Sequence, residues 1–156
     1  MNQALPLHRA VGNRNVEAIT LSNLASAQLG RGEPAQALAL TETALGIARD
    51  VENKVTESWV LTHRGRAFEA LGRFDRALEC LETAAANLRA INNPRGLAGC
   101  LGYLSSLLGT HLNRREEALT MARDGLAILV ASGTDQAFGG RRASGFRELI
   151  ERFSRT

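Results

Sequence analysis

The sequence is poor in cysteine, proline and aromatic residues, and this poverty excludes several classes of protein. Among 156 residues there are two cysteines, three prolines and 4% aromatics. Cys80 and Cys100 stand outside any CxxC pair or Cys/His cluster, so neither a disulfide framework nor a cysteine zinc site is predicted. We expect two buried thiols in a reducing compartment, and hence a cytoplasmic protein.

Long apolar runs and a strong excess of one charge are also missing. No apolar stretch approaches the roughly 18 residues that a membrane span needs, and the first residues lack the basic and apolar regions of a secretory signal. The net charge of +3 is too small to indicate nucleic acid binding. We therefore expect neither a membrane nor a nucleic acid partner for this chain of ordinary globular composition.

What the chain does have is an internal repeat with a period of 40 residues. Asn13, Asn53 and Asn93 share one column, and Gly32 matches Gly72. Similar residues fill further columns: Arg9, Arg49 and Arg89; Val11, Val51 and Ile91; Leu21, Leu61 and Leu101; Ala37-Leu38, Ala77-Leu78 and, after one added residue in the turn, Ala118-Leu119.

Each unit has the pattern of two helices joined by a short turn. Gly72-Arg73 interrupts the middle unit, and Asn92-Asn93-Pro94 ends it, since proline disfavours helix in the residue before it. On both sides of Gly72-Arg73, apolar or small residues recur at the spacing of a buried helical stripe, at Leu61, Gly65, Phe68 and Leu71, and then at Ala77, Leu78, Leu81, Ala84 and Leu88. No stretch alternates with a period of two, so no strand is predicted.

The pattern therefore predicts one all-α domain, 1–156, built as a solenoid of antiparallel helix hairpins. The predicted helices are 3–11, 15–30, 34–50, 55–71, 74–91, 95–110, 115–131 and 135–153. We divide the domain into the end of a truncated repeat (1–13), three repeats (15–53, 55–93 and 95–133) and a C-terminal capping helix (135–154). The capping helix is marked by Phe138, Phe146, Leu149, Ile150 and Phe153, and Gly139-Gly140 weakens its first half.

These columns resemble the tetratricopeptide repeat (TPR). Gly65 is similar to the small residue of the family's first helix and Phe68 to the aromatic that follows it; the turn Gly72-Arg73-Phe74 and the second-helix residues Ala77 and Ala84 also fit. The matching residues of the outer units are Ala25, Gln28, Gly32-Glu33-Pro34, Ala37 and Ala44, and Ser105, Leu108, Ala118 and Gly125. The resemblance spans residues 4–131, and it implies a right-handed α-solenoid that binds proteins.

The period departs from the common TPR length of about 34 residues. A unit of about 40 residues resembles the long repeats of kinesin light chains, Pins-type polarity adaptors and bacterial TPR regulators. That period also overlaps the HEAT repeat, but the small residues and the glycine-containing turns favour the TPR. Gln28 replaces the aromatic of the first unit, and the third unit is degenerate.

The chain begins in the middle of a repeat, since residues 4–13 match 44–53 and no first helix precedes them. We expect a piece of a longer protein or a truncated array. A bare end of this kind would expose apolar surface, so self-association through the open N-terminal end is a further expectation. We interpret the arginine-rich last helix as a solvent-exposed cap of the array.

No residue set for catalysis or metal binding emerges. His8, His63 and His111 lie in different units, and HExxH, GxxxxGK[ST] and GxSxG motifs are all missing. Glu116 and Glu117 are adjacent and would point about 100° apart on a helix. We therefore expect no enzyme activity, no metal and no cofactor.

The resemblance implies that the first helices line a concave face. The residues opposite the core stripe are the candidate partner-binding residues: Ser22, Asn23, Ser26, Trp59, Thr62, His63, Arg66, Glu69, Tyr103 and Ser106. Asn23, His63 and Tyr103 form one column of hydrogen-bonding side chains that could hold a peptide backbone, unless they are merely the polar sides of amphipathic helices. Ser22 and Thr62 stand where a carboxylate-binding TPR has lysine, so no carboxylate clamp is expected.

Glycines form a bare stripe on the first helix of the third unit, at Gly99, Gly102 and Gly109. Either another helix or a partner comes close there, or a degenerate repeat packs loosely. Two functions remain open at this point. The chain is a non-catalytic scaffold that binds a peptide or helix on its concave face. Alternatively, it is the sensor or regulatory segment of a larger bacterial signalling protein or transcription regulator, binding an effector or its own neighbouring domain.

Overall fold

A computed structural model describes residues 4–137 and 141–155. Within those ranges the chain forms seven helices: α1 (Ala4–Gly30), α2 (Pro34–Asp50), α3 (Lys54–Ala70), α4 (Phe74–Ala90), α5 (Pro94–Thr110), α6 (Arg115–Ala131) and α7 (Ala143–Ser154). The same ranges contain no strand, only an isolated antiparallel bridge between Gln136 and Arg142. The predicted all-α solenoid of helix hairpins is confirmed.

The tight turns depend on residues that adopt a left-handed backbone. Gly32 and Gly72 have φ of 76° and 73° in the turns that join α1 to α2 and α3 to α4. Glycine takes this conformation without a steric penalty. Between hairpins, Glu52 and Asn92 take it instead, with φ of 53° and 52°. The repeated turn residues therefore fix where each hairpin reverses.

The asparagine column marks the starts of first helices. The Oδ1 atom of Asn53 accepts a hydrogen bond from the Thr56 amide at 3.0 Å, which caps α3. Asn93 caps α5 in the same way through the Gly96 amide, also at 3.0 Å. A cap of this kind stabilises a helix by roughly 0.5–2 kcal/mol relative to alanine. The residues just before the caps, rather than the asparagines themselves, carry the left-handed backbone.

At Asn13 the expected break between two helices is wrong, because α1 runs without interruption from Ala4 to Gly30. The predicted helices 3–11 and 15–30 are therefore one helix, and residue 3 lies outside the described ranges. The turns at Asn53 and Asn93 are held by helices that pack on either side of them. No described helix precedes residues 4–13, so continuing the helix there satisfies more backbone groups than a turn would.

The capping helix also begins later than expected, at Ala143 instead of residue 135. Residues 135–137 and 141–143 run antiparallel, with the Ala137 amide donating to the Arg141 carbonyl at 2.8 Å and the Ala143 amide to Asp135 at 3.0 Å. Phe138 and Gly139-Gly140 lie outside the described residues. Two adjacent glycines are poor helix formers, which accounts for the late start.

Small residues set the distance between the two helices of a hairpin. A Cβ atom built on Gly65 of α3 would lie 2.8 Å from Leu81 Cγ and 3.2 Å from the Ala77 carbonyl oxygen of α4. In the third hairpin Ser105 replaces the glycine, and its hydroxyl donates to the Ala118 carbonyl at 2.8 Å. These close approaches are the ones that the sequence columns predict.

The hairpins stack so that their first helices form an inner row. Helix α3 contacts α1 and α5, and each second helix packs against the first helix of the next hairpin. Helix α7 contacts α6 and α5 and so takes the place that a fourth first helix would occupy. This row of α1, α3 and α5 carries the candidate site.

Candidate functional site

The inner row of helices forms two adjoining clefts. The Trp59 cleft holds about 430 Å³ of empty space, its mouth included, and is lined by Ser26, Trp59, Thr62, His63, Arg66, Leu88, Gly96, Gly99, Cys100 and Tyr103. The Glu69 cleft holds about 890 Å³ and is lined by Leu29, Arg66, Glu69, Ala70, Tyr103, Ser106, His111 and Arg141. Arg66 and Tyr103 border both clefts, so the two form one continuous surface.

Eight of the ten predicted binding residues line these clefts: Ser26, Trp59, Thr62, His63, Arg66, Glu69, Tyr103 and Ser106. Ser22, which is only 2% exposed, lines neither of them. Asn23 is exposed on α1 but lines neither cleft. The expected column of Asn23, His63 and Tyr103 is thus divided, and only its last two members share a cleft.

Ser22 and His63 connect α1 to α3. The Ser22 hydroxyl lies 3.0 Å from Nδ1 of His63. Burial, with a smaller contribution from the nearby Arg66 charge, lowers the pKa of His63 to about 4. The imidazole is therefore neutral at pH 7, and it offers one donor and one acceptor nitrogen. Ser22 is therefore a buried residue that positions the His63 ring, rather than an exposed one.

The floor of the Trp59 cleft is apolar and chemically inert. Leu88 and Cys100 are each 1% exposed. The Cys100 thiol donates to the Leu81 carbonyl, with Sγ and the oxygen 3.2 Å apart, and burial raises the pKa of Cys100 to about 12. Since the thiolate is the reactive form, this thiol lines the cleft without reacting there. The expectation of two buried thiols holds for Cys100, whereas Cys80 is half-buried.

Two arginine side chains flank the ring of Tyr103 at the border of the clefts. The guanidinium carbon of Arg66 lies 4.9 Å from the ring centroid, and that of Arg141 lies 5.9 Å from it. Cation–π contacts of this kind hold both charged groups in place. Nε of Arg141 is buried without a hydrogen-bond partner, and burial lowers the pKa of Arg141.

A carboxylate lies opposite these arginines in the Glu69 cleft. Oε1 of Glu69 is 3.4 Å from Nε2 of His111, and the His111 ring stacks on Phe74 with centroids 4.3 Å apart. Burial raises the pKa of Glu69, while His111, Arg66 and Arg141 act to lower it. The cleft therefore combines two arginine side chains with one carboxyl group that contacts a histidine ring.

Sequence reasoning missed several lining residues, above all His111 and Arg141. Arg141 reaches the cleft because residues 135–137 and 141–143 pair ahead of α7, and nothing in the repeat pattern marks that segment. His111 lies just past the last residue of α5, where the third repeat has its extra residue. A search for charged residues at the ends of first helices would have found His111 but not Arg141.

Side chains of the C-terminal segment pack against two of the three stripe glycines. A Cβ atom on Gly102 would lie 2.5 Å from Arg141 Cδ, and one on Gly109 would collide with the Phe153 ring. The third glycine, Gly99, lines the Trp59 cleft. The close approach expected at this stripe is made chiefly by the chain's own α7 and the arginine before it.

The arrangement offers hydrogen bonds, aromatic surface and charge. In residues 4–137 and 141–155, no cluster of three or more histidine, cysteine or acidic side chains could hold a metal ion. Over the same described ranges, none of the helices combines the length and apolar character that crossing a bilayer requires.

Comparisons with known proteins agree with the geometry. A family model described as the tetratricopeptide repeat matches residues 18–43 and 58–83. The two matched segments begin 40 residues apart, and each runs from a first helix through the turn into the second. No curated protein sequence matches the chain at a significant level.

Solved structures match over most of the chain. The TPR domain of Arabidopsis FLU superposes with a TM-score of 0.68 at 19% identity, over 76% of this chain and 98% of that one. A putative kinesin light chain of Podospora anserina with nearly identical TPR-like repeats gives 0.74 at 15% identity, over 89% and 66%. The Sgt2 TPR domain of Aspergillus fumigatus gives 0.65 at 21% identity, over 89% and 78%. At these identities the likeness concerns the fold alone.

The stacked helix hairpins, with two clefts along their inner row, define an α-solenoid. The family model matches its first two hairpins, and the solved structures that superpose on the chain have the same kind of tetratricopeptide-repeat fold. The tetratricopeptide repeat is in general a scaffold for protein–protein interaction, one that binds proteins or peptides and is typically non-catalytic.

Proposed function

We propose that the inner face of α1, α3 and α5 binds a peptide or a helix of another protein, without catalysis. The observation that carries this proposal is the continuity of the two clefts through Arg66 and Tyr103. Binding sites in proteins are typically concave, with apolar walls and a few well-placed polar groups. The Trp59 cleft has an apolar floor, and polar side chains surround its mouth.

The polar groups suit a peptide backbone. Neutral His63 supplies a ring nitrogen, and Arg66 supplies donors. The Thr62 hydroxyl donates to the Ser58 carbonyl at 2.9 Å and contacts the Cys100 thiol, and its oxygen has a second lone pair that can accept a backbone N–H. Donors and acceptors that alternate along a groove are what an extended main chain requires.

A displayed library of random 12-residue peptides, selected against the immobilised protein, tests the proposal. We expect the selected peptides to lose most of their affinity for the Trp59→Ala/His63→Ala double variant. The matched control is Glu42→Ala/Arg123→Ala, which alters two exposed residues on α2 and α6. Circular dichroism verifies that both variants keep their helices. Peptides that bind the double variant as tightly as the wild type would refute binding at this face.

A second candidate function is that of a sensor segment in a larger regulator, as the sequence also allowed. It is favoured by the depth of the Trp59 cleft, whose floor reaches Leu88 of the second helix α4. A small effector would bind within that cleft and leave the Glu69 cleft free, whereas a peptide would contact both. Shifts of backbone amide resonances around Ser106 and His111 upon binding separate the two candidates.

A further inference from the structure

We infer that the outer side of α1 is a docking surface for one more helix hairpin of the same repeat type, supplied by another polypeptide segment. The surface, here named the α1 stripe, consists of Val16, Thr20, Leu24 and Ala27, all of them exposed. Val16 and Leu24 are 61% and 49% exposed, although both are large and apolar. The inference goes beyond the proposed function, because none of these residues lines the clefts.

The register of the repeat identifies what the stripe is for. The positions 40 and 80 residues further on belong to α3 and α5, and seven of those eight residues are buried while Arg64 is half-buried. They are Thr56, Val60, Arg64 and Ala67 in α3, and Gly96, Cys100, Leu104 and Leu107 in α5. The same four positions are therefore covered in two first helices and uncovered in the remaining one.

The structure also shows what covers these positions. Leu88 of α4 lies over Gly96, where an added Cβ atom would be 2.9 Å from Leu88 Cδ2. Cys100 contacts the Leu81 carbonyl, with Sγ 3.2 Å from the oxygen, and α2 packs on α3 as α4 packs on α5. The second helix of the preceding hairpin packs on the first helix in both cases, and in α3 the Thr56 hydroxyl also donates to Asn15 of α1 at 2.9 Å. A hairpin whose second helix has a similar face of leucine and alanine therefore fits the α1 stripe.

Charge adds a requirement for the partner. The side chain of Glu57 in α3 is only 6% exposed. Its Oε1 atom accepts a hydrogen bond at 3.0 Å from Nε of Arg49, which belongs to the preceding second helix. The residue 40 positions before it is Glu17, which is exposed on α1. An incoming second helix with an arginine at the register of Arg49 would pair with Glu17.

A second copy of the chain cannot supply this hairpin by stacking head to tail. Its last second helix, α6, is covered by α7, and Phe146 of α7 is fully buried there. The exposed surface of α7 carries arginine and glutamate side chains at residues 147, 148, 151 and 152. The partner we propose is accordingly a hairpin whose second helix is not capped.

A synthetic peptide of residues 14–53 serves as the probe, because its α2 segment already packs on a first helix in this fold and carries Arg49. The probe itself carries Val16→Glu and Leu24→Glu, so that it cannot accept a further hairpin. We expect titration into the ¹⁵N-labelled full chain to shift the amide resonances of residues 16–27. Resonances of Trp59 and Tyr103 should stay in place.

Variants of the full chain make the test specific. Val16→Glu/Leu24→Glu should abolish the shifts, and Glu17→Gln should weaken binding roughly threefold, as expected for a partly exposed ion pair. Arg49→Gln in the probe should add nothing to Glu17→Gln. The matched control is Val130→Glu, which changes another exposed valine, 66% exposed, on α6.

A tethered form prevents weak affinity from hiding the result. Joining the probe to the N-terminus of the chain through a Gly/Ser linker gives it an effective millimolar concentration, and docking should then raise the denaturation midpoint. No rise, or a rise that persists in the Val16→Glu/Leu24→Glu chain, would overturn the inference. Dimers of the unmodified chain that dissociate upon Val16→Glu would also overturn it, since a second copy would then be the occupant. Neither result would affect peptide binding in the clefts.

Discussion

The two ends of this array differ, because the apolar surface of the C-terminal end is covered and that of the N-terminal end is exposed. At the C-terminal end, α7 inserts Phe146 against Gly125 of α6 and Phe153 against Gly109 of α5. At the N-terminal end, α1 leaves Val16 and Leu24 in contact with solvent. Each end hairpin has apolar surface that no neighbouring hairpin covers, because the hairpins of a solenoid bury such surface only against their neighbours.

We call the covered C-terminal end the sealed end and the exposed N-terminal end the open end. The difference shows that covering an end requires specific residues. Glycines on α5 and α6 make room for two aromatic rings, and residues 135–137 and 141–143 pair so that the chain can turn into α7. No comparable set of small residues and rings lies on the α1 stripe. One end is built to be closed by the chain itself, and the other keeps the surface that a further hairpin would cover.

The largest expected effect is at the sealed end. Phe146→Ala should lower the free energy of unfolding by roughly 3–5 kcal/mol, the usual cost of removing a buried aromatic ring. Val16→Ala at the open end should change it by less than about 0.5 kcal/mol, as for other exposed positions. Urea denaturation followed by circular dichroism measures both. Equal losses for the two variants would mean that the ends do not differ as described.

The free energy of unfolding should depend on pH through His63, which connects α3 to Ser22 of α1. Burial holds the pKa of His63 at about 4, below its usual 6.5, so the unfolded chain takes up a proton at a higher pH than the folded chain does. The free energy of unfolding is therefore highest above pH 6.5, where His63 is neutral in both states, and it falls as the pH is lowered towards 4. The loss that His63 causes is on the order of 3 kcal/mol by linkage.

The measurement is the difference in unfolding free energy between the wild type and His63→Gln across pH 4 to 7. We expect the wild type to lose stability faster than the variant in that window, since glutamine keeps a hydrogen-bonding partner for Ser22 and does not titrate. Taking the difference cancels the contribution of Glu69, whose raised pKa acts in the opposite direction. Parallel curves would show that His63 is not held neutral by burial.

Much of the fold follows from the sequence because its signals are local. Turn glycines, asparagine caps and the stripe spacing each act within a few residues, and they predict both ends of α2 to α6 to within one residue. The first and last helices were the exceptions. Asn13 resembles Asn53, but a turn needs packed helices on both sides, and that condition depends on tertiary structure.

The site was predictable to the extent that it follows the repeat. Trp59, His63 and Tyr103 came from first-helix positions opposite the core, and all three line the Trp59 cleft. Ser22 occupies one of those positions too, yet the neighbouring α3 buries it. Arg141 could not be found this way, because an irregular segment brings it to the cleft.

The smallest effects test whether the glycines at the sealed end are there to make room. A Cβ atom on Gly125 would collide with the Phe146 ring, so Gly125→Ala should destabilise the fold by about 1–3 kcal/mol through overpacking, despite alanine's better helix propensity. Gly46 of α2 is the matched control, since it is exposed and nothing lies within 4 Å of an added Cβ atom. Gly46→Ala should stabilise by about 0.5–1 kcal/mol.

The opposite signs are what distinguish a packing role from a general preference. Both substitutions add one methyl group within a helix, so any change common to them reflects helix propensity and the remainder reflects the space around the glycine. In the Phe146→Ala background the ring is gone, and Gly125→Ala should then become neutral or stabilising. A Gly125→Ala cost that persisted without the ring would mean that the collision with Phe146 is not its cause, and the sealed end would need another explanation.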